Sequence, residues 1–397
     1  MTVVVSADQG HVFHNRLTHS LQVAQLGRRI AEKLRREIKA GELPEADLSP
    51  NVVEAACLAH DLGHPPFGHI AESALNELAA EVHLSDGFEG NAQSFRIVTK
   101  LAVGSSRMGL NLTRATLNAI LKYPWLRGEN PKYPNKWGAY ESERGEFDKV
   151  RELGTPKNAK SVEADIMDWA DDITYSVHDI DDFFRAGVIP LDRLGIDDAE
   201  RERFYAEVFA RKRGKFPEGL DETYLRGAFD GLIKKSPLVG AGGYQGTGLE
   251  RIRMRNFTSA LIGEFVRGLR IRTDRGYPYI WTENRRVAEV FMLKELTWHY
   301  VIKNPALATH QEGQRTIIRE LFYKYFKAAT SRKSNLDLFP ASVRELLPEK
   351  PASSGSHQKV ARVIIDFISG LTEEQAVALH HRIHGVSLGS ALAYDVR

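Results

Sequence analysis

The sequence predicts a mainly α-helical protein. Apolar residues recur three and four positions apart in residues 15–36 and 161–184, which is the spacing of a helix with one buried face. Residues 52–59 are apolar on almost every face, as in a helix that is buried on most sides. The chain shows no strand-rich stretch and no internal repeat. The expected fold class is therefore all-α, with few or no strands.

The first predicted helix, residues 15–36, carries a histidine on its inward face. That face consists of His19, Val23, Leu26 and Ile30. Either Asn15 or Thr18 would cap the helix. A lone histidine on an apolar face is usually a hydrogen-bonded core residue, so His19 becomes a candidate ligand only together with other residues.

Residues 59–72 hold the densest group of chemically active side chains in the sequence. They include His60, Asp61, His64, His69 and Glu72. Gly63 and the two prolines that follow should end the preceding helix, and a new helix should begin between Phe67 and His69. That helix would place His69 and Glu72 on one face. An adjacent His-Asp pair can offer an imidazole nitrogen and a carboxylate oxygen to one divalent ion.

The helix predicted over residues 161–184 supplies further carboxylates. Its core stripe consists of Ile166, Ala170, Ile173, Val177 and Ile180. Asp171, Tyr175 and Asp179 follow one another four residues apart along the adjacent face. So many acids on one helix repel one another unless solvent or a cation screens them. A solvated face explains most of them, but it explains Asp171 and Asp179 least well, because both border the buried stripe.

The segments between these helices carry weaker patterns. One helix should run to about Glu81 and another from Leu110 to Leu121. Residues 122–161 are rich in Pro, Gly, Asn, Lys and aromatic residues without a sustained period, and we interpret them as a substrate loop. A polar group, formed by Glu89, Asn91 and Gln93, would cap a helix or line a pocket, and its spacing favours the cap.

The second half reads as helices joined by loops. The glycine-rich run 240–248 lacks the following Gly-Lys-Ser/Thr of a phosphate loop, so we interpret it as a flexible loop. His380, His381 and His384 include a pair four residues apart. The residues between that pair lack the glutamate of a zinc-protease motif, so we expect structural roles for these histidines.

Composition is that of an ordinary globular protein. The 397 residues, 42% of them hydrophobic, suffice for one large or two ordinary domains. The single cysteine, Cys57, falls in the apolar helix and excludes a disulfide within the chain, which fits a reducing compartment. No stretch is apolar enough to cross a bilayer, and Met1–Asp8 does not resemble a signal peptide. We therefore expect a cytoplasmic protein without membrane contacts.

Charge is distributed unevenly along the chain. Residues 1–200 hold 22 Lys and Arg against 31 Asp and Glu, whereas residues 201–397 hold 32 against 21. An acidic half suits a cation site, and a basic half suits an anionic substrate or a nucleic-acid strand. Solvated faces of different charge explain the asymmetry equally well.

Taken in order, His19, His60-Asp61 and Asp171 form an H…HD…D pattern that resembles the HD phosphohydrolase superfamily. Longer segments resemble the bacterial deoxyguanosine-triphosphate triphosphohydrolase family, with a weaker echo at residues 366–372. The matching segments are NRLTHS (15–20), HDLGHPPFGH (60–69), FEGNAQ (88–93), LTRATL (112–117), KYPW (122–125) and ADDITYS (170–176).

The resemblance implies an architecture and an activity. It implies an HD metal-binding core over residues 1–190, with a loop insertion at about 124–160. A helical C-terminal region, residues 191–397, would pack on that core and contribute substrate contacts and oligomerisation. The implied reaction converts dGTP or several dNTPs to deoxynucleoside and inorganic triphosphate by water attack at the α-phosphate.

The resemblance also implies a role for each site residue. The implied ligands of one divalent ion are His19, His60, Asp61 and Asp171, a donor set that does not distinguish Mg, Mn, Co, Ni, Fe and Zn. The implied catalytic residues are His64, His69 and Glu72. The implied substrate-binding residues are Arg16, Asn91, Lys122, Asp172, Tyr175 and Asp179.

Two further hypotheses remain open. The first keeps the metal site but makes the chain a nucleotidase or phosphodiesterase. The second is a protein that senses nucleotides or single-stranded DNA through its basic half, with incidental hydrolysis. Members of the family form homo-oligomers and some respond to a nucleotide effector, so we expect both partners here.

Overall fold

The computed structural model describes residues 15–104, 109–234, 236–240, 242–303, 305–331, 335–348 and 354–386. Among these residues the predicted all-α fold class is confirmed. The helices are α1 (Arg16–Lys39), α2 (Pro50–Ala59), α3 (His69–Glu81), α4 (Gly90–Arg96), α5 (Arg114–Ile120), α6 (Arg144–Arg151), α7 (Val162–Arg185), α8 (Leu191–Leu194), α9 (Asp198–Lys212), α10 (Glu222–Ile233), α11 (Gly248–Arg267), α12 (Asn284–Thr297), α13 (Pro305–Thr330), α14 (Ala341–Arg344), α15 (Ser354–Ser369) and α16 (Glu373–Ile383).

Contacts between residues divide the chain into two compact units, each built from separate stretches of sequence. Of the described residues, unit 1 contains those within 59–159 and 309–386, and unit 2 contains those within 15–58 and 160–308. Residues 1–14 lie outside the described residues. They include Met1–Asp8, the segment that is not expected to be a signal peptide. The functional boundary at residue 190 stays a prediction.

Unit 2 is organised around α7, which packs against α1, α11 and α12. The core stripe predicted for α7 is confirmed, since all five of its residues are at most 1% exposed. Gly27 lets the helices approach closely: a Cβ there would lie 2.6 Å from the Cys57 sulfur and 3.7 Å from the Ala170 Cβ. Cys57 is buried, as predicted. This close packing fixes α1 and α7 relative to each other.

A short antiparallel hairpin in unit 2 contains the two strands of the described residues. Strands β1 (Leu269–Arg272) and β2 (Tyr279–Thr282) pair with Leu269 opposite Thr282. The prediction of few or no strands is consistent with this hairpin, but it did not say where the strands would lie. At four residues each, the strands are too short to give a periodic signal above that of the flanking helices.

Unit 1 has a core formed by two distant stretches of sequence. Helix α3 packs against α15, and both contribute to one apolar cluster with α13 and α16. Its largest buried members include Phe67, Leu75, Phe88, Leu321, Phe322, Tyr325, Ile364 and Ile365. Residues after 309 therefore complete the core that surrounds the chemically rich segment 59–72.

Helix boundaries agree with the sequence in some places and differ in others. Helix α3 begins at His69 and ends at Glu81, as predicted. Helix α5 begins at Arg114 rather than Leu110, because the Thr113 side chain accepts from the Thr116 backbone N–H and caps it there. The segment predicted to be a substrate loop contains a helix, α6, that the sequence analysis missed, since only Phe147 and Val150 mark its buried face. Within the described residues, no helix is long and apolar enough to span a membrane.

Candidate metal centre and active site

In unit 2, α1 and α7 bring a histidine and an aspartate together. The Nε2 atom of His19 lies 3.1 Å from Oδ1 of Asp171. Asn15 starts α1 with a capping box. The Asn15 side chain accepts a hydrogen bond from the Thr18 backbone N–H, and the Thr18 hydroxyl accepts one from the Asn15 backbone N–H. His19 is 4% exposed and the Asp171 side chain 18% exposed. Two different helices therefore bring these residues together at a position that is largely shielded from water.

Neighbouring carboxylates on α7 are held by lysines. Asp172 accepts a 2.7 Å hydrogen bond from Lys294 on α12, and Asp168 accepts one from Lys160. Carboxylate oxygens of Asp168, Asp171 and Asp172 lie within 4.8 Å of one another. This part of α7 thus combines a dense negative charge with two fixed ammonium groups.

Tyr175 and Asp179 continue the same face of α7. Asp179 is 2% exposed. Burial raises the pKa of the Tyr175 phenol well above its usual value, and its hydrogen bond to Asp179 raises it further. Tyr175 is therefore a neutral donor held in place by a buried carboxylate.

In unit 1, the turn after α2 carries His60, Asp61 and His64. The Oδ1 atom of Asp61 lies 3.5 Å from His60 Nε2 and 3.1 Å from His64 Nδ1. Helix α2 ends at Ala59, and Gly63 does not have a positive φ, so the predicted end of the helix at a glycine cap is wrong. Instead, the Gly63 N–H donates to Ser94 Oγ at 2.9 Å. Ser94 Oγ in turn donates to the His60 carbonyl oxygen at 2.9 Å. The turn is therefore fastened to α4 on both sides of Asp61.

Helix α3 begins with a histidine that a carboxylate orients. His69 Nδ1 lies 2.8 Å from Glu72 Oε2, and the His69 side chain is 80% exposed. The turn before it is tight, with φ of +67° at Phe67 and +60° at Gly68. A positive φ is strained for phenylalanine, and its burial in the core of unit 1 stabilises that conformation. The strained turn fixes where His69 emerges.

Lys136, in the predicted substrate loop, connects two acidic residues of this site. Its Nζ lies 2.8 Å from Glu72 Oε1 and 3.0 Å from Glu89 Oε1. Burial raises the pKa of Glu72, but the His69 hydrogen bond and the Lys136 charge bring it well below its usual value. Burial dominates at Glu89 and raises its pKa, even though Lys136 opposes that rise. Lys136 therefore keeps Glu72 ionised for its contact with His69.

His64 has a different environment from His69. Burial lowers the pKa of His64 to about 4, although Asp61 and Glu72 oppose that change. Gly90 packs against the imidazole, since a Cβ at this position would lie 3.2 Å from the ring. His64 is therefore a neutral imidazole at pH 7 in this environment.

The remaining predicted residues have mixed environments. Glu89 accepts from the backbone N–H groups of Asn91 and Ala92, which confirms the predicted cap, and the Asn91 amide donates to it as well. Gln93 is buried and donates to Asp366 at 3.0 Å. Two cations occupy helix ends: Arg16 is the first residue of α1 and Lys122 follows α5.

The donor chemistry of these residues fits a divalent metal ion. Each unit presents an imidazole nitrogen close to a carboxylate oxygen, in the His19-Asp171 and His60-Asp61 pairs. Nitrogen and oxygen donors of this kind suit Mn, Fe, Co, Ni, Zn or Mg without choosing among them. Lys136 and Ser94 support the site, but no periodic pattern or motif in the sequence indicates either role.

Comparison with known proteins identifies the family. A model of the HD domain matches residues 16–176, and a model of a phosphohydrolase-associated domain matches residues 282–382. The chain is 36% identical over 386 residues to a deoxyguanosinetriphosphate triphosphohydrolase-like protein of Streptomyces coelicolor, covering 93% of this chain and 83% of that protein. The chain belongs to this family of HD-domain proteins.

Other members of the family are similar over equally long stretches. A protein of the same name from Corynebacterium efficiens is 34% identical over 407 residues, covering 97% of this chain and 87% of that protein. One from Bifidobacterium longum is 32% identical over 384 residues, covering 92% and 74%. As a family member, the protein is an HD phosphohydrolase. All four residues of the H…HD…D pattern lie inside the matched HD domain.

Proposed function

We propose that this protein hydrolyses deoxynucleoside triphosphates to deoxynucleoside and inorganic triphosphate in a metal-dependent reaction. The observation that carries the proposal is the 3.1 Å contact between His19 and Asp171, which are 152 residues apart in sequence. A contact between the first and last members of the H…HD…D pattern is what a shared metal ion requires. Family membership supports a phosphohydrolase.

The proposed ligands of one divalent ion are His19, His60, Asp61 and Asp171. A bound ion would supply Lewis-acid stabilisation of the negative charge that develops on the α-phosphate. The fixed His19-Asp171 contact supports this assignment, because ligands held before binding lose little conformational freedom.

The histidines of unit 1 are proposed to move the protons of the reaction. When water forms its bond to the α-phosphorus, it loses a proton, and the departing 5′-oxygen of the deoxynucleoside gains one. His64 is suited to accept a proton because it is neutral at pH 7. Glu72 orients His69 through Nδ1, which leaves the exposed Nε2 of His69 for proton exchange.

Substrate contacts are proposed for two kinds of side chain. Arg16 and Lys122 would bind phosphate oxygens by charge. Tyr175 and Asp179 would contact the sugar, and a tyrosine held this firmly would exclude a 2′-hydroxyl. Asn91 and Asp172 complete the proposed set, although Glu89 and Lys294 bind them in this structure.

Product identification tests the proposal. The protein is incubated with each of the four dNTPs and with GTP, in the presence of Mg, Mn or Co. We expect release of inorganic triphosphate and deoxynucleoside, with little turnover of GTP. Release of monophosphate or single phosphate groups would instead support a nucleotidase or phosphodiesterase.

Asp171→Asn should abolish this turnover by removing a ligand, whereas Asp181→Asn serves as a matched control on the same helix. Asp181 pairs with Arg185, so its substitution should leave turnover intact. The hypothesis of a protein that senses single-stranded DNA gains support only if Asp171→Asn still binds single-stranded DNA with a steep salt dependence. Homo-oligomerisation, a nucleotide effector and a cytoplasmic location stay predictions.

A further inference from the structure

Three metal-ligating side chains converge in unit 1, away from the H…HD…D residues in sequence. Glu320 lies on α13, His380 lies on α16, and His384 follows α16. Oε2 of Glu320 lies 2.6 Å from Nε2 of His380 and 3.1 Å from Nε2 of His384. One ligand atom from each residue lies within 4.8 Å of the others. Two imidazoles and a carboxylate thus face a common point.

The helices that carry this cluster are fixed by the core of unit 1. Leu321, next to Glu320, is fully buried in the same apolar cluster as Ala376 of α16. Leu379 packs against that cluster from the position next to His380. The three ligating side chains are therefore presented by packed helices rather than by a loop, which limits the conformational cost of binding an ion.

Hydrogen bonding orients the second imidazole. His384 Nδ1 lies 2.8 Å from the carbonyl oxygen of His380, so this nitrogen carries a proton and donates. In neutral His384 the lone pair of Nε2 then faces the Glu320 carboxylate. Two lone pairs 3.1 Å apart repel unless a proton or a metal ion lies between them. A backbone carbonyl that fixes the tautomer in this way is a common feature of metal-bound histidine.

The electrostatic setting favours a cation. Both histidines lie at the C-terminal end of α16, where the helix dipole is negative. Glu320 adds a carboxylate oxygen 2.6 Å from His380 Nε2 at this negative end of the helix. The side chains are 18–42% exposed, which leaves the cluster accessible to an ion from solvent.

We propose that Glu320, His380 and His384 form a second metal site, for Zn²⁺ or a similar transition-metal ion, that cross-links α13 and α16. Two imidazole nitrogens and one carboxylate oxygen are a donor set that zinc accepts, with a fourth position left for water. The sequence analysis expected structural roles for these histidines. The proposed site keeps such a role, because it would stabilise unit 1 and take no part in hydrolysis.

The test measures bound zinc in the full-length protein carrying Asp61→Ala, which weakens the H…HD…D site. After equilibrium dialysis against Zn²⁺ and metal analysis, this background should retain one equivalent of zinc. Adding His384→Ala should remove that equivalent, and adding Glu320→Gln should weaken its binding at least tenfold. Adding His381→Ala is the matched control, because this exposed neighbour lies outside the cluster and should leave zinc binding unchanged.

A second measurement separates loss of a ligand from loss of folding. Zn²⁺ should raise the Tm of Asp61→Ala but not that of Asp61→Ala/His384→Ala, while the two proteins have similar circular dichroism without metal. The proposal is overturned if the background binds no zinc, or if zinc binding and its Tm rise survive both His384→Ala and Glu320→Gln. An ion pair that needs only a proton would give the first result, and zinc bound elsewhere in the protein would give the second.

Discussion

At the scale of single residues, Gly63 shows how tightly the candidate site is built. A Cβ there would lie 2.1 Å from the Ser94 backbone nitrogen and 2.3 Å from the Gly90 carbonyl oxygen. Neither is a flexible side-chain end, so the backbone around Asp61 would have to move. Gly63→Ala should lower the free energy of unfolding by about 2–3 kcal/mol and weaken metal binding.

Gly145→Ala is the control for Gly63→Ala. Gly145 lies in α6 with open space around its Cα, so alanine should raise stability by about 0.5–1 kcal/mol. Urea denaturation of both variants compares the effects. Equal stability of Gly63→Ala and wild type would contradict the described packing.

Lys136 gives a second test at this scale. Lys136→Met leaves the buried carboxylates of Glu72 and Glu89 without their shared cation. Because the lysine side chain is 30% exposed, the expected loss of stability is about 1–3 kcal/mol, below that of a fully buried pair. Adding Glu89→Gln should recover part of the loss, as a double-mutant cycle by urea denaturation would measure.

Lys132→Met, on the same loop, controls for the general loss of a lysine. Lys132 lies over the Tyr133 ring, whereas Lys136 is the lysine that contacts Glu72 and Glu89. Lys132→Met should therefore change the free energy of unfolding by no more than about 0.5 kcal/mol. A cost for Lys136→Met that is no larger than this would mean that the two carboxylates do not depend on Lys136.

At the scale of elements, the acidic face of α7 predicts a pH dependence of stability. The pKa of Asp165 is raised from 3.8 to about 6, chiefly by burial and also by the charge of Asp168, while Lys160 opposes the rise. Between pH 4 and 6 the folded state therefore holds a proton that the unfolded state releases. This contribution lowers the stability of the folded state as pH rises through that window, and it becomes constant above pH 6.

Asp165→Asn should remove this contribution. The stability of the variant relative to wild type should rise from pH 4 to pH 6 and then level off at about 1–3 kcal/mol. Urea denaturation at several pH values measures the difference. A difference that is independent of pH would show that Asp165 keeps its ordinary pKa in the folded protein.

Elements also show what the sequence could predict. Long periodic helices such as α1 and α7 were predicted within a few residues, because each has a complete apolar face. The short helix α6 and the hairpin were not, because each buries too few residues to leave a pattern. Lys294 and Lys136 were out of reach for another reason: their partners are distant in sequence and form no motif.

At the scale of the whole molecule, the chain folds into units that interleave in sequence. The weak echo at residues 366–372 has a structural explanation within unit 1. Asp366 accepts hydrogen bonds from Gln93 and from Arg96, which also binds Glu143. A buried ion network thus joins the two stretches that form unit 1, and motif spacing alone does not reveal it.

The central claim is that the four residues of the H…HD…D pattern bind one metal ion. The most direct measurement is anomalous diffraction from crystals of the protein grown with Mn²⁺. We predict one manganese peak within coordination distance of His19, His60, Asp61 and Asp171. A peak bound by other residues, or one that leaves out His19 and Asp171, would contradict the claim.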